Sequence, residues 1–77
     1  MRAFMLNTYD EYGPEDICYG LTAAAALEKA MRLNPLDEDQ LAAFNRVIAE
    51  SPARLNYAHN LGSGWGGWQL TILDTDA

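Results

Sequence analysis

The tightest constraint on this chain lies at its middle, where Asn34-Pro35-Leu36-Asp37 ends one helix and starts another. A residue before proline is pushed out of the helical region, so a helix running from Ala23 must stop by Leu33. Asp37 then offers a carboxylate to cap a new helix, and Gln40 three residues later completes a capping box. Leu36 and Leu41 stand at the spacing of a hydrophobic staple. Asp37, Glu38 and Asp39 suit the positive end of the new helix, and Ser51-Pro52 closes it. Thr22 is a good N-cap for the first helix, whose apolar markers are Leu27, Ala30, Met31 and Leu33. In the second helix Leu41, Phe44, Val47 and Ile48 form the apolar stripe.

Everything outside this pair reads as strand or turn. Residues 3–9 alternate, with Phe4, Leu6 and Thr8 on an inward face and Met5, Asn7 and Tyr9 on the other. Gly13-Pro14 breaks regular structure, so residues 10–16 read as a connection and 17–21 as a second strand, antiparallel to the first. A third strand is expected over 54–60, with Leu55, Tyr57 and His59 on one face. A glycine-rich loop follows over 61–67, then a last strand over 68–74 with Trp68, Leu70 and Ile72 inward. The predicted fold is α+β in ββααββ order: an antiparallel sheet of three to four strands with two helices packed on one face.

A chain of 77 residues supports one domain, spanning 1–77. So small a body has little room for a deep pocket of the ~300–1,000 Å³ that small-molecule sites occupy. Met1 reads as a natural start. Its flanks lack the apolar run of a signal peptide, and the alanines at 23–26 fall far short of a membrane span. Cys18 is the only cysteine, so no disulfide braces the chain internally. The reading is a cytoplasmic protein.

Catalytic and cofactor signatures are weak. The loop around Gly62, Gly64, Gly66 and Gly67 leads into a strand without a lysine, unlike a phosphate-binding loop that opens a helix. One cysteine and one histidine, Cys18 and His59, make neither a nucleophile–base signature nor a zinc site. Asp37-Glu38-Asp39 lacks the alternating ligands and glycine of a calcium loop. The expectation is a protein that is not an enzyme, with no catalytic residue, cofactor or metal.

Charge carries what functional signal there is. Eleven acidic against five basic side chains give −6 at pH 7, which disfavours direct binding to nucleic acid or an anionic membrane and favours basic protein surfaces. Asp10, Glu11, Glu15 and Asp16 fall within seven residues that hold no lysine or arginine. Like charges facing each other across a hairpin are mildly destabilising, so the run is either a solubilising loop or a binding surface for a basic partner. Tyr9 and Tyr12 interleave the acids, and tyrosine is enriched in interfaces. Trp65, set among glycines, either folds back on the core or is an exposed anchor for a partner.

With Tyr9-Asp10-Glu11-Tyr12-Gly13-Pro14-Glu15-Asp16 on a hairpin, a ββααββ body and this charge, the chain resembles the small acidic inhibitors encoded by phages and mobile elements, of which anti-CRISPR proteins are the best known. The resemblance is one of size, charge and layout. It implies stoichiometric binding, with carboxylates presented where a target expects nucleic-acid phosphates, as in a DNA mimic. The expected partner is the basic surface of a nucleic-acid-binding protein or complex. Asp10, Glu11, Glu15 and Asp16 would dock there with help from Asp37, Glu38 and Asp39, and Tyr12 and Trp65 would be the aromatic anchors. The competing expectation is a structural protein that self-associates through edge strands and Trp65. The chain is expected to be a monomer or a homodimer.

Overall fold

The computed structural model describes residues 1–62 and 67–74. The element order is β1 (Arg2–Asp10), β2 (Gly13–Gly20), α1 (Ala23–Leu33), α2 (Glu38–Ala49), β3 (Ala58–Asn60) and β4 (Trp68–Asp74). The four strands form one antiparallel sheet in the order β2-β1-β4-β3. The fold is α+β, as the sequence pattern predicts, and the N-terminal strand lies in the sheet's interior beside β4.

Both helices begin where their caps place them. The Thr22 hydroxyl accepts a hydrogen bond from the Ala25 N–H at 3.1 Å. Asp37 Oδ1 accepts from the Gln40 N–H at 2.8 Å, and Gln40 Oε1 accepts from the Asp37 N–H at 3.0 Å, completing the reciprocal box. Each bond satisfies an N–H that a helix end would leave orphaned. α1 lies against β1 and β2 and buries Ala26 and Ala30 completely. The approach is so close that a Cβ added to Gly20 would stand 2.5 Å from the Ala26 nitrogen. α2 adds Ala43, Phe44 and Val47 to the buried cluster that holds Leu6, Cys18, Trp68, Leu70 and Ile72.

The apolar stripes are narrower than the sequence suggests. Leu33 is exposed because α1 ends there, past its buried stretch, and Ile48 lies at the margin of the α2 stripe, where Ala43 takes the inner position instead.

Two strands also differ from expectation. The β1–β2 connection is only Glu11-Tyr12, since Asp10 already pairs with Gly13 and Tyr9 with Pro14. Gly13 supplies a φ of +114, which lets so short a turn close. Pro14 is tolerated because β2 is an edge strand, where its missing N–H breaks no ladder bond. At the other side, β3 is three residues and not seven. Asn56 has a φ of +55, which bends the segment before it can pair. Its backbone instead bonds the end of β4: Asn56 N–H donates to Ile72 O at 2.7 Å, and its side-chain oxygen accepts from the Asp74 N–H at 3.3 Å.

Candidate functional site

Alternation along β1 and the register of β2 decide where the hairpin acids point. Leu6, Thr8 and Asp10 share the side of the sheet that the helices cover, and Glu15 sits opposite Thr8. Between the Leu6–Cys18 and Thr8–Glu15 pairs, β1 supplies Asn7 alone while β2 supplies Asp16 and Ile17. This is a β-bulge, and its first residue, Asp16, takes a φ of +44, the left-handed conformation that aspartate tolerates better than most residues. The bulge turns Asp16 toward the helix side, where its Oδ2 accepts a hydrogen bond from the Thr8 hydroxyl at 3.3 Å. The acids therefore lie largely within the strands and not in a connection over 10–16: Asp10 closes one strand, Glu11 lies in the turn, and Glu15 and Asp16 stand on the facing strand.

Asp10 is engaged twice. Its Oδ1 accepts from the Tyr12 N–H at 2.8 Å, fixing the turn. Its carboxyl is also a neighbour with which Glu15 can share a proton, and this lifts the Glu15 pKa above its ordinary value; the Asp10 charge, desolvation and the Asp16 charge act in the same direction. Tyr12 projects from the tip and is 88% exposed.

The second acidic group comes to the same end of the molecule. Trp68 pairs with Thr8 at the hairpin end of the sheet, and its indole N–H donates to the Asn34 carbonyl at 2.9 Å. That bond places the α1–α2 connection, and Asp37-Glu38-Asp39 three residues on, at the hairpin end. Gly62, just past β3, confirms the position: a Cβ there would meet the Gln40 side chain at 3.3 Å. Seven of the chain's eleven acidic residues thus gather at one pole.

Four of the five cations are elsewhere, and the fifth, Arg32 in the last turn of α1 beside Asn34, is held by Glu28. Arg2 begins β1 opposite Asp74, at the far end. The Lys29 ammonium donates to Tyr19 O at 2.6 Å, Arg32 pairs with Glu28 one turn back in α1, and Arg46 lies in the later part of α2. Arg54 stacks over the Tyr57 ring at 3.7 Å. Of the residues expected to bind a partner, the structure brings together Asp10, Glu11, Tyr12, Glu15, Asp16, Asp37, Glu38 and Asp39, whereas Trp65 falls outside the described residues. What the sequence did not reveal is the joining of the two acidic groups, which depends on Trp68 and the strand order.

The other chemistry-bearing residues lie apart. Cys18 is buried under the helices, and burial with the nearby Asp16 charge raises its pKa against the opposing pull of Lys29, so it is a poor nucleophile. His59 contacts Tyr57 edge-on, with ring centroids 5.0 Å apart, and its Nε2 lies 3.2 Å from Arg54 O. Among the described residues, no group of three or more His, Cys, Asp or Glu is arranged to hold a metal ion, and no helix is long and apolar enough to cross a membrane. No family model, curated protein or solved structure matches the chain.

Proposed function

We propose that this is a non-enzymatic binding protein that inhibits a nucleic-acid-binding protein or complex by setting its acidic pole on the target's basic surface. The observation that carries this reading is the gathering of seven carboxylates at one end of the fold, with every lysine and arginine placed elsewhere or turned to another partner. The molecule measures 31 × 23 × 21 Å, so the pole is roughly as wide as a DNA duplex. B-DNA carries one charge per about 1.7 Å of axis, so a 20 Å length offers about twelve. Seven carboxylates over a similar span reach more than half that density, enough to compete for a cationic groove. Glu15 contributes less than a full charge whenever it shares a proton with Asp10. The exposed Tyr12 ring at the tip would add an apolar anchor among the charges.

The test is retention of partners from a bacterial lysate by the intact protein, compared with the variant Asp10→Asn, Glu11→Gln, Glu15→Gln, Asp16→Asn at low and high salt. The native protein is expected to retain a nucleic-acid-handling complex at low salt and release it at high salt, and the variant to retain none. A folded variant that binds its partner as well as the native protein would refute the mechanism. Self-association by strand addition draws less support from the edges: β2 carries Pro14 and a bulge, and β3 is only three residues, both features that hinder pairing with another chain.

A further inference from the structure

The passage from β2 into α1 leaves apolar surface uncovered. Leu21 follows the last residue of β2 and precedes Thr22, the N-cap of α1. An apolar residue just before an N-cap ordinarily packs on the residue four positions past the cap. Here that residue is Ala26, which is fully buried against the sheet, so Leu21 has no such partner and stays 70% exposed. Gly20 beside it is bare backbone, because a Cβ there would collide with α1. Tyr19, one residue earlier, is half exposed. With Ala3 of β1 and Lys29 of α1, these residues line a shallow depression of about 260 Å³.

Lys29 supplies its one charge. The ammonium donates to Tyr19 O at 2.6 Å, which fixes the charged head at the rim. An ammonium has three donors, so two remain. Among the described residues no carboxylate pairs with it; the ion pair of α1 is Arg32 with Glu28. An uncompensated ammonium stands out in a chain of eleven acids and five cations. A lysine on an edge strand hinders pairing with another chain, but that role does not call for open apolar walls beside it.

We propose that this depression binds a small apolar carboxylate, with the carboxylate on Lys29 Nζ and the apolar body against Leu21, Ala3 and Tyr19. Charge complementarity selects the anion and the walls select the body. The volume lies below the ~300–1,000 Å³ of drug-sized sites, so the ligand has one or two rings or a short chain. With Tyr19 O already taken by Lys29, an extended peptide cannot add here as a further strand, which favours a free small molecule. The acidic pole does not exclude an anion. Ala3 and Asp10 lie seven positions apart on β1, roughly 23 Å at the rise of a strand, more than two screening lengths at physiological salt. The nearer charges, Arg2 and Asp74, face each other across β1 and β4 and offset.

Titration of the full chain with indole-3-acetate, followed by amide chemical shifts in nuclear magnetic resonance spectra, tests this. The shifts should saturate and centre on Ala3, Tyr19, Gly20, Leu21 and Lys29. At the efficiency of ordinary ligands, a dozen or so non-hydrogen atoms give a Kd of ~1 mM. The neutral isostere indole-3-acetamide should bind about 5-fold more weakly, the worth of an exposed charge contact. Lys29→Gln should bring the acid down to the level of the amide, and Lys29→Arg should keep the preference for the acid. Leu21→Ser should weaken both probes alike. The absence of saturable shifts at these residues up to about 20 mM overturns the proposal. So does a folded Lys29→Gln chain that still prefers the acid. The variant with Asp10, Glu11, Glu15 and Asp16 neutralised should bind indole-3-acetate as the native chain does, so this site and the acidic pole stand or fall separately.

Discussion

The single bond between Trp68 and Asn34 joins the two acidic groups, and Trp68→Phe removes it while keeping an aromatic ring in the core. Trp68 is 1% exposed, whereas Asn34 is an exposed residue whose carbonyl can turn to water, so the cost is the net worth of the bond, about 0.5–1.5 kcal/mol. Shrinking indole to phenyl removes part of a side chain whose complete truncation costs about 3–5 kcal/mol, so roughly a further 1 kcal/mol is lost to the void. The sum is about 1.5–2.5 kcal/mol, against a total stability of about 4–12 kcal/mol for a chain of this length. At about 4–8 °C per kcal/mol for a domain this small, Tm should fall by at least about 6 °C. Thermal and urea unfolding followed by circular dichroism measure both quantities. A loss below about 0.5 kcal/mol, the scatter of ordinary surface substitutions, would show that the indole N–H does not hold the helix connection to the sheet.

Two further substitutions test the hairpin and the helix contact. Gly20→Ala should cost about 1–3 kcal/mol, seen as a lower urea midpoint, because the new Cβ would meet the Ala26 nitrogen at 2.5 Å and the Ala25 Cβ and the oxygen of the capping Thr22 at 2.9 Å, so the helix must move; an unchanged midpoint would show the contact to be loose. Glu15→Gln should change how stability varies with pH. The raised Glu15 pKa means the folded state binds the proton more tightly than the unfolded chain, so this contribution is full below the ordinary value of 4.5 and fades as pH rises through the folded value. The native chain should therefore gain stability relative to the variant as pH falls from 7 toward 4. A constant difference in Tm across that range would refute the Asp10–Glu15 contact.

Local signals were legible where one residue decides the backbone. Thr22, Asp37 and Gln40 fix both helix starts, and Pro35 and Pro52 fix the limits within which the helices end. The last strand was equally clear, because Trp68, Leu70 and Ile72 alternate without interruption. The hairpin was misjudged because Gly13-Pro14 is a strong turn signal in isolation, and only the edge position of β2 makes Pro14 acceptable inside a strand. The third strand is present but shorter than its pattern, for a related reason: Asn56 can enter the left-handed region, and nothing in an alternating pattern announces that it does. Of the site, the residues were visible and their convergence was not. Asp10 and Asp37 are twenty-seven positions apart, and only the pairing of β1 with β4 and the reach of the Trp68 indole bring them to one end.

The distribution of charge over the fold sets how the proposed partner contact should respond to salt. Contacts between the acidic pole and a basic partner are attractive at long range, so raising ionic strength shortens the reach of the attraction and weakens binding. Asp10, Glu15 and Asp16 turn to the helix side of the sheet, the side on which α2 begins at Asp37-Glu38-Asp39, so a basic surface that meets one acidic group meets the other. Rim charges of this kind act on the rate of association more than on the lifetime of the complex, so neutralising Asp10, Glu11, Glu15 and Asp16 should lower the association rate and flatten its dependence on salt. A variant whose association rate and salt dependence match those of the native chain would show that the pole does not steer the encounter.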